Sequence, residues 1–196
     1  MGGQPVLSVN ADTSDRVFSK RLVLRRVQRS DLLRLAEWSM SDAAHGEYLS
    51  KENLSLEEFT TRFSNGYFWN EHSRTFIIQI AEGTSIGTIR HWAKAGDLAV
   101  AVVAIKIAVV ESRGHGYGTE AQAALINHLF SARRYQSVEM VTDIDNVAEQ
   151  RCLARLGFEH TRSLTYDDQR TSRVGNLYRL DRRQYESLPI YKLGYE

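Results

Sequence analysis

Three glycines at alternate positions are the residues whose spacing most directly indicates chemistry. They are Gly114, Gly116 and Gly118, within residues 113–119 (RGHGYGT), which we call the glycine loop. Because glycine lacks a Cβ atom, the backbone can turn tightly there and approach a ligand closely. If a helix begins at this loop, its free N–H groups and its dipole favour an anion such as a pyrophosphate. Arg113 adds a formal positive charge, so the loop is predicted to bind an anionic ligand.

The residues around the glycine loop predict that it joins a strand to a helix. Residues 100–110 are almost uniformly apolar, which is typical of a strand covered on both faces. From Thr119 the apolar residues recur with a helical period. Strand and helix patterns alternate along the rest of the chain. This alternation predicts one α/β domain at 19–182, with a flexible lead-in at 1–18 and a C-terminal tail at 183–196.

Two common nucleotide-binding loops do not fit these glycines. A P-loop needs Lys and then Ser or Thr after its last glycine, but Thr119 and Glu120 follow Gly118. The dinucleotide fingerprint needs a glycine where Thr119 stands, and it normally opens a domain. Both nucleotide interpretations are therefore excluded.

Two separate blocks together resemble the GNAT N-acetyltransferase superfamily. The acyl-CoA loop of that family, Gln/Arg-x-x-Gly-x-Gly/Ala, is matched by Arg113, Gly116 and Gly118. Residues 146–158 (NVAEQRCLARLGF) resemble its helix Asn-(ten residues)-Gly-Phe. The likeness covers about residues 21–180 and is to the RimJ/RimL-like branch of ribosomal-protein and antibiotic acetyltransferases. It implies a mixed, mostly antiparallel sheet of six to seven strands, flanked by helices and splayed at its central strands.

The resemblance also implies a mode of binding for acetyl-CoA as the acyl donor. The pyrophosphate would lie on the glycine-loop amides, and the pantetheine arm would pair with backbone at 107–109 and with Asn146. An amine would attack the thioester directly, and a backbone N–H near Val109 or Val110 would stabilise the oxyanion. The residues expected to bind acetyl-CoA are Ile107, Ala108, Val109, Arg113, Gly114, His115, Gly116, Tyr117, Gly118, Thr119, Asn146 and Arg151.

The match to the family breaks at the positions that handle protons. Many relatives have Tyr seven residues after the Asn, or Ser three after it, and here these positions hold Leu153 and Glu149. Glu149 could relay a proton, or it could complete a capping box with Asn146. Candidates for the general base are Glu111 at the end of the strand, His91, Glu47 and a water molecule.

Composition limits the partners and the compartment. With 25 Lys and Arg against 24 Asp and Glu, the net charge is 25 − 24 = +1, which disfavours nucleic acid or an anionic membrane as the main partner. The single cysteine, Cys152, allows no internal disulfide and is expected to be a small buried hydrophobe. The scattered histidines predict no metal site. A cytoplasmic protein, monomeric or homodimeric, is expected.

Two groups of side chains have a plain structural interpretation. Five arginines in the N-terminal part are expected to form a solvated face: Arg21, Arg25, Arg26, Arg29 and Arg34. The aromatic residues 67–69 are expected either in the core or in the wall of an acceptor pocket.

Three functional hypotheses follow. The first is acetyl transfer from acetyl-CoA to a primary amine of a small molecule, either an antibiotic or an amine metabolite. The second is acetylation of a protein N-terminus, as in ribosomal-protein acetyltransferases. The third is a non-catalytic acyl-CoA-binding module, which the missing Tyr and Ser would explain.

Overall fold

Eight strands form a single sheet in this computed structural model, which describes residues 15–168 and 171–192. The sheet thus has more strands than the six to seven expected. Its strands are β1 (Arg16–Phe18), β2 (Leu22–Arg26), β3 (Ser73–Ile80), β4 (Ser85–Lys94), β5 (Asp97–Ile107), β6 (Ser137–Asp143), β7 (Glu159–Asp168) and β8 (Thr171–Asp181), and they lie in the order β1-β2-β3-β4-β5-β6-β8-β7.

Seven α-helices accompany the sheet in the described residues. They are α1 (Leu32–Met40), α2 (Asp42–His45), α3 (Leu56–Ser64), α4 (Tyr117–Ser131), α5 (Val147–Arg155), α6 (Arg182–Ser187) and α7 (Pro189–Lys192). The start of α3 shows how sequence sets a helix boundary. The Ser55 hydroxyl accepts a bond from the Glu58 N–H, and the Glu58 carboxylate accepts one from the Ser55 N–H. This reciprocal pair satisfies two N–H groups that have no acceptor inside the helix.

Both faces of the sheet are covered, because alternate side chains of a strand point in opposite directions. In β3, Phe76 and Ile78 belong to the main core with α4, whereas Ile77 packs with the cluster formed by α1 and α3. This arrangement explains why β3 is apolar at successive positions.

The sheet opens at its centre. All neighbouring strands are antiparallel except β5 and β6, which pair in parallel only at residues 100–102 of β5. Beyond that point β5 continues to Ile107 bonded only to β4. The predicted splay is thereby confirmed. It also explains why the apolar segment at 100–110 is only partly buried: Val100, Ala101 and Val103 are buried, but Ala104 is exposed.

Both ends of the chain contribute more to the fold than the expected lead-in and tail. Residues 16–18 form β1 and pair with β2, while 1–14 lie outside the described residues. At the other end, α6 and α7 follow β8, and 193–196 lie outside the described residues. The Tyr191 side chain is buried, and its hydroxyl donates to the Leu156 carbonyl at 2.9 Å. The segment after β8 therefore packs against the end of α5.

Candidate active site

Two cavities meet where β5 leaves β6. The first, the loop cavity, has a volume of about 700 Å³ and lies beside the glycine loop and α5. The second, the aromatic cavity, has a volume of about 560 Å³ and lies among α3, β4, β5 and the end of β7. Residues that line both cavities define what we call the junction: His45, Leu49, Ile105 and Lys106. A ligand in one cavity could therefore meet a ligand in the other at this point.

The glycine loop has the conformation that its glycines predict. Gly114 and Gly116 have φ values of +77° and +80°, a region that glycine adopts at little cost. Gly116 is the N-cap of α4, so the first N–H groups of this helix have no acceptor within it. The loop thus offers backbone donors and the positive end of a helix dipole to the loop cavity.

Most of the predicted loop residues line that cavity. The six that do so are Arg113, Gly114, Gly116, Tyr117, Gly118 and Thr119. His115 is exposed and does not line the loop cavity. Ile107 lines it, but Ala108 and Val109 do not.

The N–H groups of Ala108 and Val109 are already used. Both donate to the Ile86 carbonyl of β4, at 2.9 and 3.1 Å. The Val109 N–H is therefore not free to stabilise an oxyanion, which leaves Val110 of the two expected donors. In an antiparallel pair, every second residue of a strand bonds to the neighbouring strand. Since Ala108 bonds to β4, so does Lys106, while Ile105 and Ile107 between them turn their N–H and C=O groups away from β4. These groups face the opening between β5 and β6.

Arg113 holds the glycine loop in place in addition to supplying its positive charge. Its Nε donates to the Ile107 carbonyl at 2.9 Å, and its Nη2 donates to the carbonyls of Ala43 and Ala44 at 2.6 and 3.0 Å. The side chain thereby ties α2 and the end of β5 to the glycine loop.

Arg21 also belongs to this region, contrary to the expectation of a simple solvated face. It pairs with Glu120 at 2.7 Å, donates to the His115 carbonyl at 3.1 Å, and lies 4.6 Å from the centre of the Tyr117 ring. Arg25 departs from that expectation too, because it forms a two-point ion pair with Asp31. Only the folded chain brings Arg21 to the loop, since about 94 residues separate it from His115.

The α5 helix supplies the other wall of the loop cavity. Asn146 caps it, since its side-chain oxygen accepts a bond from the Glu149 N–H at 3.1 Å. Arg151 lines the cavity as predicted, and Arg155 does so as well. Sequence reasoning missed Arg155, although its position one helical turn after Arg151 was a usable signal.

Glu149 faces the loop cavity with an unusual carboxyl group. Its Oε1 is buried and has no hydrogen-bond partner in the described part of the chain. Burial raises the pKa of Glu149, and a side-chain bond from Gln122 offsets this only partly. One half of the predicted capping box is present, since the Asn146 side chain accepts a bond from the Glu149 N–H. The other half, a bond from the Asn146 N–H to the Glu149 carboxylate, is not formed. The raised pKa favours the protonated form of this carboxyl, which can then donate a proton.

Cys152 is next to Glu149 in the same wall. Its Sγ lies 3.1 Å from the Thr119 hydroxyl, and burial raises the pKa of the thiol to about 11. The side chain is therefore a buried thiol, as expected, and not a reactive thiolate.

The other candidates for the base lie in very different places. Glu111 is exposed in a short turn and lines neither cavity. His91, a candidate base from the sequence, is fully buried between Phe76 and Tyr135, and burial lowers its pKa to about 3. It cannot meet a substrate. Glu47 is exposed at the edge of the loop cavity.

The junction contains a pair of basic groups that sequence reasoning did not assign. Lys106 Nζ lies 3.3 Å from His45 Nε2, and His45 Nδ1 lies 2.9 Å from the Ser41 carbonyl. A carbonyl can only accept, so Nδ1 carries the hydrogen and the Nε2 lone pair faces Lys106. Burial lowers the pKa of both side chains, while Glu52, 3.9 Å from Lys106, opposes this effect. The one signal in the sequence was a single lysine within the apolar segment 100–110.

The aromatic cavity takes its wall from part of the predicted aromatic cluster. Tyr67 and Phe68 line it together with Trp92. Trp69 instead packs edge-on against Phe76 at 5.1 Å, in the core. The cluster thus divides between the two roles that its sequence allowed.

Two further features bear on partners. Across residues 15–168 and 171–192, no group of three or more His, Cys, Asp or Glu side chains could hold a metal ion. In the same part of the chain, no helix has the length and apolar character needed to cross a membrane.

Comparison with known proteins places this architecture in a family. The model of the acetyltransferase (GNAT) domain matches residues 21–159. A mycothiol acetyltransferase from Kytococcus sedentarius is 27% identical over 120 residues, which are 61% of this chain and 40% of that protein. The chain therefore spans less than half the length of this curated relative.

Solved structures show the same fold at low sequence identity. RimJ from Mycobacterium smegmatis, in complex with CoA-disulfide, has a TM-score of 0.76 and 20% identity, covering 91% of this chain and 92% of that chain. The aminoglycoside acetyltransferase AAC(6')-Ib in complex with coenzyme A has a TM-score of 0.69 and 20% identity, covering 84% and 97%. With a family match over most of its sheet and both motif blocks, the chain belongs to the GNAT acetyltransferase family.

Proposed function

We propose that this protein transfers an acetyl group from acetyl-CoA to a primary amine by direct attack of the amine on the thioester. The observation that carries the proposal is the meeting of two cavities at Lys106 and His45, one of them bordered by an anion-binding glycine loop. Acyl transfer between two bound substrates needs such an arrangement, because the reacting atoms must be held together away from bulk water.

The loop cavity fits the acyl donor. Free N–H groups of the glycine loop would hold the pyrophosphate, and three arginines that line the cavity would face the remaining phosphate charge: Arg113, Arg151 and Arg155. Arg21 is paired with Glu120 and does not line the cavity. The backbone groups of Ile105 and the Ile107 N–H would pair with the amides of the pantetheine arm, while the Ile107 carbonyl already accepts a bond from Arg113 Nε. The Asn146 amide nitrogen is left to donate, since its oxygen is used in capping. Acetyl-CoA supplies an activated acyl group, so no acyl-enzyme on Cys152 is needed.

The junction residues would remove the proton from the acceptor amine. Lys106 first gives one proton to His45 Nε2, and its freed lone pair then takes the proton that leaves the amine nitrogen as the N–C bond forms. Burial keeps His45 neutral and ready to accept, and the fixed Nδ1–H bond to Ser41 keeps its lone pair aimed at Lys106.

The departing CoA sulfur would gain its proton from Glu149. This carboxyl faces the loop cavity and its pKa is raised, so it can donate as the C–S bond breaks. Glu149 would thereby serve where many relatives use the Tyr or Ser that this chain lacks. Glu111, which is exposed and outside both cavities, takes no part in this scheme.

We propose a small-molecule amine as the acceptor, with a protein N-terminus as the second candidate. Structural neighbours include both classes of enzyme: an aminoglycoside acetyltransferase and the ribosomal-protein acetyltransferases RimJ and RimL. At these identities the likeness shows the fold, so the choice of acceptor must come from the aromatic cavity and from experiment.

The test is the release of free thiol from acetyl-CoA in the presence of three kinds of acceptor. These are a polyamine or aminoglycoside, an amino acid, and a short peptide with a free N-terminus. We expect one CoA released for each acetyl group gained by the acceptor, measured by mass spectrometry. Thermal stabilisation by acetyl-CoA without turnover of any amine would instead favour a non-catalytic binding module.

A further inference from the structure

Two arginines contact one tyrosine ring in the wall of the aromatic cavity. The guanidinium carbons of Arg62 and Arg90 lie 4.9 and 4.6 Å from the centre of the Tyr67 ring. All three residues line the cavity, and both arginines are half-buried. Because each cation is within 5 Å of the same centre, the two are less than 10 Å apart, which is about one Debye length at 0.1 M ionic strength.

Arg90 is held in place but keeps donors to spare. Its Nε donates to the Ser73 hydroxyl at 3.0 Å, its Nη1 donates to the Tyr67 hydroxyl at 2.6 Å, and its guanidinium carbon lies 5.4 Å from the Trp92 ring centre. A guanidinium has five N–H groups, so three remain. A preorganised fork of this kind suits a carboxylate or another planar anion.

Neither arginine forms a close ion pair in residues 15–168 and 171–192, and the one acidic side chain that Arg62 influences is Glu58, one turn earlier in α3, whose pKa it helps to lower. Three other half-buried arginines are paired with carboxylates: Arg25 with Asp31, Arg173 with Asp168, and Arg179 with Glu139. Half-buried Arg113 instead donates to backbone carbonyls. By contrast, Arg62 and Arg90 are associated with rings and hydroxyls. Two neighbouring cations at a cavity wall, with N–H groups unused, create a positive potential that favours the binding of an anion.

Two of the three acidic residues that line the cavity are committed elsewhere, and the third, Asp167, is exposed. Glu52 lies 3.9 Å from Lys106 at the junction. Asp168 accepts a bond from the Ser50 N–H at 2.7 Å and pairs with Arg173 at 3.2 Å. Arg62 and Arg90 line only the aromatic cavity, whereas Lys106 lines both. The cationic pair is therefore set apart from the point where the amine must react.

We propose that the acceptor carries a carboxylate in addition to its amine, and that Arg62 and Arg90 bind this carboxylate while the amine reaches Lys106 at the junction. The inference rests on the proposed acetyl transfer and names its acceptor class: amino acids or peptides with an acidic side chain, in preference to polycationic amines. Tyr67 positions both guanidiniums, since its ring contacts both and its hydroxyl accepts a bond from Arg90.

The experiment compares pairs of peptide amides that differ by one carboxylate. Each pair has a free N-terminus and either Glu or Gln at the second, third or fourth position, with the C-terminus amidated to remove its charge. Free glutamate and glutamine form a further pair, which distinguishes a small amino acid from a peptide. Kanamycin represents the polycationic acceptors.

For at least one pair, the Glu acceptor is expected to have a kcat/KM about 10-fold above that of its Gln partner, since a hydrogen bond to a charged group contributes about that factor. Arg62→Gln and Arg90→Gln should each move the Glu-to-Gln ratio toward one. Arg34→Gln, at an exposed arginine of α1 that lines neither cavity, should leave the ratio unchanged. Thermal melting of each variant shows whether it folds. If one arginine variant does not fold, the other still tests the proposal.

The outcomes separate this proposal from the proposed function. Turnover with Glu-to-Gln ratios near one in every pair, or faster turnover of kanamycin than of any Glu peptide, would overturn the anionic acceptor while leaving acetyl transfer intact. If no acceptor is turned over, acetyl transfer fails, and calorimetry with the CoA-bound protein then decides about the carboxylate subsite. Tighter binding of a Glu peptide than of its Gln partner, lost in Arg90→Gln, would support the subsite, and equal affinities would refute it.

Discussion

Replacing Lys106 with Met tests whether the junction pair works as its geometry indicates. The change keeps most of the side-chain volume and removes a cation 3.3 Å from His45 Nε2. Two unit charges at this distance interact by about 1 kcal/mol in water and by about 5 kcal/mol at an effective dielectric constant of 20. Even the smaller value corresponds to roughly a tenfold change in the proton affinity of His45.

The direction in which the pKa of His45 should change follows from the groups around it. Burial lowers its pKa first, and the Lys106 charge lowers it further, while Glu52, Asp168 and the Ser41 carbonyl act in the opposite direction. Lys106→Met should therefore raise the pKa of His45. Because a base must be unprotonated to accept a proton, the acidic limb of kcat/KM should move to higher pH, together with a lower maximal rate.

The assay is an NMR titration of the His45 Cε1–H signal, assigned with His45→Gln, beside a pH–rate profile. Lys51→Met is the matched control, because Lys51 pairs with Asp42 of α2, the helix that carries His45, at 2.8 Å and lines neither cavity. It should leave the His45 titration unchanged. The same midpoint in the wild type and in Lys106→Met would refute the reasoning.

Three other predictions concern stability and binding. His91 is buried with a pKa of about 3, against 6.5 for an ordinary histidine, so the unfolded chain binds a proton that the folded chain does not. Stability should fall as the pH drops from about 6.5 toward about 3, by up to about 1.4 kcal/mol per pH unit from this group, and His91→Leu should remove that part of the slope in urea unfolding. Gly118→Val should abolish CoA binding in calorimetry, because Gly118 lines the loop cavity. It should not cost much stability, since Gly118 has no positive φ and a Cβ there meets only Ile107 at 3.8 Å. Ser131→Val at the other end of α4 is the control, and normal CoA affinity in Gly118→Val would contradict the loop assignment. Gly157→Ala should destabilise the protein more than Gly96→Ala. Both positions have φ near +82°, so a side chain costs about 1–2 kcal/mol at either, but only at Gly157 does a Cβ overlap another side chain, that of Leu188. Equal melting temperatures of the two variants would mean that the segment before α7 does not pack there.

Sequence patterns predicted those features that depend on local chemistry. Glycine adopts positive φ values at little cost, as Gly114 and Gly116 do here, so an N-terminal anion site on α4 could be expected. The spacing from Asn146 to Gly157 likewise described a capped helix with a glycine end, and both ends are as expected. The splay followed from the family resemblance, and the limited pairing of β5 with β6 confirms it.

Features that depend on contacts between distant segments could not be predicted in this way. His91 stands between Arg90 and Trp92 in β4, and nothing local shows that Phe76 and Tyr135 enclose it. Arg21 looked like one more surface charge until the fold brought it to the glycine loop. His45 and Lys106 are 61 residues apart and meet only because α2 packs beside the free end of β5.

The strand count shows the same limit in the backbone. Residues 16–18 have no strong strand pattern of their own, but the exposed edge of β2 gives them a partner. The unpaired N–H and C=O groups of an edge strand can pair with a short segment that has little strand pattern of its own, so β1 was not predicted.

The central claim, direct transfer of acetyl from acetyl-CoA to an amine, is tested most directly by following one turnover with isotopically labelled acetyl-CoA. Mass spectrometry of the quenched mixture should show the label on the acceptor nitrogen, one CoA thiol for each label, and an unlabelled protein at every time point. Label that appears on the protein before the acceptor, or acetyl-CoA that stays intact beside acidic, neutral and polycationic amines alike, would contradict the account.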